Sequence, residues 1–292
     1  MFDFGLNPKT GKRLLKARPK IFTPHLADLP QVAVPCGKCA ACLRSRRNGW
    51  IARLSSEAFT SKASTFITLT YDDSHLPDGN KVCKSDVQDF MKRFRHLDRH
   101  YKALPDSFKY FIVSEYGKKF HRPHYHGLLF GVDLFEDVFK PSVATIRDDG
   151  RPCWTCEALQ KAWKNGFVSI DRVTPRSIKY VSKYVVKDDG GFNLFSRKIG
   201  LSLFASDQGL TDFAINSYKN GFVVLTGYKQ PVPKFVDRYL ERFDPSLYQT
   251  VKDSRRQFLA SLPLASMPSL RERDLLYQDW LETLTRRYDN DN

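Results

Sequence analysis

Two histidines one residue apart, His124 and His126, are the side chains in this sequence best suited to chemistry. In a β-strand residues i and i+2 point to one face, so both imidazoles project together and can hold one divalent cation. Gly127-Leu128-Leu129-Phe130 follows and keeps the pair in a strand. A carboxylate comes from the preceding strand, where Glu115 sits in Val113-Ser114-Glu115-Tyr116-Gly117. Any antiparallel register whose paired numbers sum to an odd value brings Glu115 onto the histidines' face, and about half of all registers do so. Two imidazoles and one carboxylate suit Mg²⁺ or Mn²⁺ beside a phosphate, with positions open for substrate oxygens. The plain alternative is a pair of solvated surface histidines.

The second constellation is Ser177-Ile178-Lys179-Tyr180-Val181-Ser182-Lys183-Tyr184-Val185-Val186-Lys187. At about 100° per residue Ile178, Val181 and Val185 share a face that buries against a sheet. Tyr180, Tyr184 and Lys187 are expected on the opposite side, with Lys183 at its edge, as an exposed cationic site. A free phenol ionises near pH ~10, so a neighbouring Lys⁺ or a metal-bound phosphate helps to generate a nucleophilic phenolate. Here the alternative is two surface tyrosines packed over lysine stems.

The elements that position these groups read as an α+β plan. A helix is expected over Arg44–Phe59 and a strand over Ser64–Tyr71, followed by a turn at Leu76–Asn80. Ser85 caps a helix running to about His100. Strands over Phe108–Tyr116 and Pro123–Val132 flank a polar turn at Gly117–Arg122. A helix at Glu157–Lys164, a strand at Gly166–Val173 and a helix opened by Pro175 and running to Lys187 follow. The first six elements from Ser64 make the split βαβ of a ferredoxin-like antiparallel sheet. Beyond Gly190 come strand-like pieces around Phe222–Tyr228 and helical stretches at Pro233–Arg242, Leu247–Ser261 and Ser269–Arg287. Residues 1–60 are therefore read as a basic arm and helix, 61–200 as the core, and 201–292 as a mostly helical extension.

The chain of 292 residues carries a formal net charge of +15, enough to favour a polyanionic partner. That charge is concentrated: residues 1–50 net +8 and 151–200 net +6, while 101–150 are neutral. Hydrophobic residues make up 41%, which excludes wholesale disorder. No apolar run approaches the roughly 20 residues of a membrane span, and the first 20 residues lack a signal-peptide centre, so a soluble intracellular protein is expected. Gly5–Lys12 is no nucleotide-binding loop: five residues separate its glycines, and Arg13 follows Lys12 where Ser or Thr is required. Cys36, Cys39 and Cys42, and separately Cys153 and Cys156, stand at CxxC spacing. A structural Zn²⁺ held by Cys36, Cys39, Cys42 and one distant ligand is one reading; a reduced structural turn is the other.

Taken together, the chain resembles the HUH endonucleases, named for a His–hydrophobic–His pair. Within them it is most similar to the replication initiators of gokushovirus-like microviruses, small circular single-stranded DNA phages. Phe66–Tyr71 is similar to the family's first motif, Arg122–His126 to its second, and Tyr180–Tyr184 to its third in the two-tyrosine form. Pro35–Cys39 with Cys42, and Ser196–Gly200, are similar to flanking blocks, so the resemblance covers about residues 35–200. It implies the HUH palm fold, with His124, His126 and Glu115 holding Mg²⁺ or Mn²⁺. It also implies that Tyr180 or Tyr184 attacks single-stranded DNA at the viral origin to leave a 5′-phosphotyrosine and a free 3′-OH, with Lys183 steadying charge. Arg44, Arg46, Arg47, Lys187, Arg197 and Lys198 are the expected DNA contacts. Host DNA polymerase and helicase are the implied partners, the host bacterial cytoplasm the implied location, and no nucleotide cofactor is expected. The alternatives are a plasmid-type initiator, relaxase or transposase of the same superfamily, or a non-catalytic single-strand-binding module.

Overall fold

The computed structural model describes residues 2–6, 13–16 and 37–261, apart from 102–107, 118–119, 188–189, 207–208 and 226–227. The chain divides into two units, Met1–Leu43 with Ser269–Asn292 and, separately, Arg44–Pro268. In the first, β1 (Phe2–Leu6) pairs antiparallel with β2 (Arg13–Lys16), so part of the expected extended arm is a hairpin. Phe2, Phe4 and Leu6 do alternate at the strand period, a signal masked by the surrounding lysines and prolines. The helix expected over Ser269–Arg287 lies outside the described residues.

The long helix α1 (Ala40–Thr60) begins four residues before the expected Arg44. Then come β3 (Ser64–Tyr71), α2 (Lys84–Tyr101), β4 (Lys109–Tyr116) and β5 (Pro123–Phe130). A hairpin of β6 (Pro141–Ile146) and β7 (Pro152–Cys156) precedes α3 (Glu157–Trp163), β8 (Gly166–Arg172), α4 (Pro175–Tyr184) and β9 (Asn193–Phe195). Seven of these strands form one sheet in the order β6-β7-β8-β3-β5-β4-β9, antiparallel throughout. Its centre, β8-β3-β5-β4 with α2 and α3 as crossovers, is the ferredoxin-like split βαβ plan. The β6–β7 hairpin is an insertion that widens the β8 edge, and β9 widens the other.

The two sheet faces bury different cores. Ile67, Leu69 and Tyr71 of β3, Ile112 of β4 and Tyr125 and Leu129 of β5 face α2 and α3 around Phe90, Phe94 and Trp163. On that side Tyr71 donates to Asp86 at 2.6 Å, and Trp163 Nε1 donates to the Thr70 carbonyl at 3.0 Å, which anchors the end of β3. The opposite face presents Phe111, Val113, Leu128 and Phe130 to α1 and α4 through Leu54, Ile178 and Val181. Glu57 of α1, itself buried, accepts from Lys109 Nζ at 2.8 Å and from the Gly200 amide at 2.6 Å. That satisfied carboxylate ties α1 to β4 and to the loop after β9. Gly127 lies flat between the neighbouring strands, because a Cβ there would stand 2.8 Å from Ile67 Cγ1.

After β9 a smaller apolar cluster forms around Phe204, Tyr218, Val223, Val236 and Leu240. It is built from β10 (Ala205–Ser206), β11 (Gly209–Leu210), α5 (Asp212–Asn220), the hairpin β12 (Phe222–Leu225) and β13 (Tyr228–Pro231), α6 (Val236–Phe243) and α7 (Pro245–Ser261). Among the described residues no helix is long and apolar enough to cross a membrane.

Candidate active site

The register of β4 against β5 pairs Glu115 with His124 and Val113 with His126, an odd sum in each case. Glu115, His124 and His126 therefore share the α4-facing side of the sheet. On the other flank β3 pairs Thr68 with His126 and Thr70 with His124. Each threonine hydroxyl meets the Nδ1 of its own histidine, Thr68 at 3.1 Å and Thr70 at 3.0 Å. These contacts fix both ring planes and leave both Nε2 atoms pointing away from β3. A hydroxyl donates or accepts equally well, so the same contact serves either tautomer. Gly117 keeps the approach to His124 clear, since a Cβ there would lie 2.9 Å from His124 Nε2.

His126 Nε2 lies 2.8 Å from Glu115 Oε2, with both side chains largely buried. Tyr180 closes this pair: its hydroxyl donates to Glu115 Oε2 at 2.7 Å and stands 3.3 Å from His126 Nε2. Phe66 stacks on the far side of His126 with ring centroids 5.8 Å apart. Tyr184 stacks on His126 at 6.3 Å and sits 5.4 Å from the Tyr180 ring.

The orientation of the tyrosines corrects the sequence expectation. The sequence pattern places them opposite the apolar stripe of α4 in an exposed site. Tyr184 is instead 6% exposed and belongs to the α1–α4 core, and Tyr180 is half-buried against it. Measured around the helix from Val181, Tyr184 and Tyr180 lie only about 60° and about 100° away. They form the flank of the buried arc. α4 also ends at Tyr184 rather than Lys187, after starting with Pro175 behind a Thr174–Ser177 capping box.

The electrostatics follow from this shelter. Burial alone would raise the Glu115 carboxyl, but the hydrogen bond and charge of His126, with the two phenols, outweigh it and hold the group at about 2. Burial, with the charges of His126 and Arg122, pushes His124 below the ordinary histidine value against the opposite pull of Glu115. Burial and the nearby Glu115 carboxylate push the Tyr180 phenol above its usual range. Burial, then Tyr180 and Glu115, do the same to Tyr184. The Tyr184 hydroxyl is buried and meets no partner at hydrogen-bonding geometry among the described residues, although it lies near enough to bear on the Glu115 charge. Lys183 Nζ lies over both rings, 4.2 Å from the Tyr180 centroid and 4.8 Å from that of Tyr184, and Lys187 Nζ is 5.6 Å from the latter.

Two imidazole nitrogens and one carboxylate on a single face are a donor set of the right chemistry for Mg²⁺ or Mn²⁺. Among the described residues, however, no three His, Cys, Asp or Glu side chains stand ready as a cage. The Glu115–His126 contact is drawn closed under Tyr180, and a cation has to part it.

Comparison with known proteins shows what this chain is similar to. Residues 64–189, the span from β3 past α4, match the family of replication-associated proteins of the ORF2 type. Through this core the chain is similar to that family. It is 28% identical over 274 residues to the "Replication-associated protein ORF2" of Spiroplasma virus 4, covering 88% of this chain and 83% of the relative. It is 29% identical over 243 residues to the "Replication-associated protein ORF4" of Chlamydia phage 1, covering 75% and 58%. To the "Replication-associated protein VP4" of Bdellovibrio phage phiMH2K it is 26% identical over 265 residues, covering 84% and 78%. No solved structure matches the chain significantly.

The remaining expected site residues fall into three groups. Arg44 and Arg46 on α1, Lys187 after α4, and Arg197 and Lys198 after β9 are exposed. Arg47 is not: it is 5% exposed, and its Nη2 donates to the Lys179 carbonyl at 3.3 Å, so it ties α1 to α4. An i, i+3 step from Arg44 on a helix already packed on one side turned it inward. Cys36 lies outside the described residues; Cys39 precedes α1, its carbonyl accepting from the Leu43 amide, and Cys42 lies in the first turn. Cys153 and Cys156 are in β7, where a separation of three residues sends side chains to opposite faces. Burial also pushes the Cys156 thiol up to about 11, against thiolate ligation. Thr68, Thr70 and Phe66 are partners of the histidines that the motif spacing does not mark. The alternation of Phe66, Thr68 and Thr70 along β3 was the available signal.

Proposed function

We propose that this chain initiates rolling-circle replication of a small single-stranded DNA phage by nicking the viral origin through a tyrosine. The observation that carries the reading is the Tyr180 hydroxyl, 2.7 Å from Glu115 and 3.3 Å from His126. That puts a nucleophile against the donor set suited to hold a scissile phosphate's counter-ion. The relatives' replication-associated names support the biological role.

In the proposed step the Tyr180 oxygen bonds to phosphorus as the P–O3′ bond breaks, giving a 5′-phosphotyrosine and a 3′-oxygen. The phenol loses its proton to water, because Glu115, held at about 2, is too weak a base to keep it. The leaving 3′-oxygen takes a proton from water and becomes the 3′-OH that a host polymerase extends. His124, His126 and Glu115 would hold Mg²⁺ or Mn²⁺, which would supply positive charge to the phosphate oxygens. Thr68 and Thr70 keep both imidazoles aligned for it, and Lys183, resting on both phenol rings, steadies the charge that develops on them. One phosphodiester is exchanged for another, so rejoining needs no nucleotide cofactor. Tyr180 faces the donor set and acts first. Tyr184, sheltered behind it, is the second nucleophile, which attacks once Tyr180 is occupied and the origin has been copied.

The experiment is an adduct gel. Oligonucleotides tiled across the single-stranded genome are incubated with the full chain and Mn²⁺, and one tile should yield a covalent complex that survives denaturation. An equal adduct from a Tyr180→Phe, Tyr184→Phe double variant refutes the tyrosine chemistry. The non-catalytic single-strand-binding reading predicts retention of DNA in native gels with no adduct at all.

A further inference from the structure

Beside His124, on the side away from the tyrosines, the sheet opens into a groove of about 710 Å³. It is lined by Thr70, Leu76, Asn80, Gly117, Phe120 and His124, with Asp73 and Arg122 at its rim. None of the roles given above uses it. Phe120 is 79% exposed, a large aromatic side chain in water at the β4–β5 turn. Leu76, half-buried, is a second apolar residue of the lining, and Asn80 offers an amide from a left-handed backbone position. Arg122 at the rim is paired with Asp73.

We infer that this groove seats the base of the nucleotide immediately 5′ of the scissile phosphate, the one that keeps the 3′-OH after cleavage. This rests on the nicking reading for its register, and the test separates the two. The chemical fit comes from the walls. A nucleobase has two apolar faces and a hydrogen-bonding edge, and the groove supplies an aromatic ring, an aliphatic surface and one amide that both donates and accepts. Its volume falls within the range of small-molecule clefts and accommodates a nucleoside. Arg122 is the cation that a flanking phosphate meets, in exchange for its exposed partner Asp73.

The polarity comes from the displacement itself. Attacking and leaving oxygens lie roughly in line across phosphorus. Tyr180 and Tyr184 contact His126, whereas the groove contacts His124, one strand step further toward the start of β5. A phosphate seated on the histidine pair and attacked from the tyrosine side expels its 3′-oxygen toward the groove. The nucleotide attached to that oxygen is the 5′ neighbour. Phe120 and Asn80 then act as positioning and specificity residues: they hold the new 3′ end beside the phosphotyrosine, where it remains available for rejoining.

The test is a position-resolved coupling measurement. Fluorescence anisotropy reads binding of origin single strands carrying one abasic site, moved position by position, to the wild-type chain and to Phe120→Ala. A second series uses Asn80→Asp, which keeps a residue tolerant of positive φ but removes the amide donor. Phe120→Ala should weaken binding of intact DNA roughly 5- to 150-fold, the range that loss of one base–aromatic stack spans. That penalty should vanish only when the abasic site is immediately 5′ of the mapped nick. Asn80→Asp should change which base is preferred at that one position. Additive penalties, or coupling on the 3′ side of the nick, overturn the inference. If the wild type forms no adduct while coupling to Phe120 persists at one nucleotide, the nicking reading fails and the groove remains a base seat. If adduct forms without coupling, the groove assignment fails and the nicking reading stands.

Discussion

The threonines of β3 are the most informative residues to perturb, because their hydroxyls meet the histidines and not the proposed nucleophile. Thr68→Val keeps the β-branched shape that suits the strand and deletes the hydroxyl 3.1 Å from His126 Nδ1; Thr70→Val does the same 3.0 Å from His124 Nδ1. Each deletion removes one hydrogen bond, about 1 kcal/mol of fold stability. The larger effect falls on the imidazole, which loses the partner that sets its ring plane. Loss of such outer contacts typically costs 10–100-fold in metal affinity, about 1.4–2.7 kcal/mol. Mn²⁺ titration followed by the paramagnetic resonance signal of the unbound ion reads this directly in the full chain. We expect each single variant to bind 10–100-fold more weakly, the double variant to be weaker still, Thr68→Ser to recover, and His126→Ala to lose binding. Wild-type Mn²⁺ affinity in the double variant, alongside lost affinity in His126→Ala, would falsify the idea that β3 orients the histidines.

Three further outcomes follow from the same geometry. Tyr180→Phe should lower formation of the first adduct by at least ~100-fold. Tyr184→Phe should leave the first adduct within a few-fold and leave thermal stability unchanged or slightly raised, since its buried hydroxyl has no hydrogen-bond partner among the described residues; equal losses from both variants would refute the assigned order. Gly127→Ala should destabilise the fold by about 1–3 kcal/mol in urea titration, because its methyl group meets Ile67 and Ile112 side chains in a packed core; an unchanged midpoint would mean that the sheet interior yields. Cys156 ionises at about 11 in the fold against 9.0 ordinarily, so the unfolded chain loses its proton first. Its contribution is complete below pH ~9 and lost as pH rises through ~11. Urea midpoints should therefore fall more steeply over that window in wild type than in Cys156→Ala, and parallel declines would contradict the burial argument.

The core sheet was legible because β3 and β8 alternate in burial, while β4 and β5 are runs of apolar residues covered on both faces. Ser64–Tyr71 alternates so strictly that its bounds are the expected ones, and the parity of the β4–β5 register decided that Glu115 faces the histidines. The β6–β7 hairpin was not legible, because Pro141–Ile146 is almost wholly exposed and carries no apolar alternation to betray it. α5 was missed for a related reason: its stripe packs a small satellite cluster, so few apolar positions mark it. The tyrosines were legible as a pair but not in direction. Phenols are amphipathic, and a helical wheel that treats them as polar assigns them to solvent when a carboxylate and an imidazole wait beneath. Arg47 failed in the opposite sense, since its charge suggested phosphate while its guanidinium caps a backbone carbonyl of α4.

The charge distribution of the chain acquires a mechanical meaning at this site. Glu115 is ionised over the whole physiological range, and both phenols beside it are held neutral by burial and by its charge. A phosphate entering this pocket would add a second negative charge beside the first, raising the phenols further and opposing its own binding. Positive charge must therefore arrive with the phosphate or already stand beside it. The segment that supplies the histidines and Glu115, residues 101–150, is net neutral, whereas 151–200, which carries Lys183 and Lys187 against the phenol rings, is net +6. Lys183 lies over the ring faces and so does not by itself restore an ordinary acidity to either hydroxyl. A divalent cation between the histidines and Glu115 would remove the charge that holds the phenols neutral and bind the phosphate in the same event. Under the proposed function, the closed Tyr180–Glu115–His126 contact would keep the phenol neutral until a cation and a phosphate are both present.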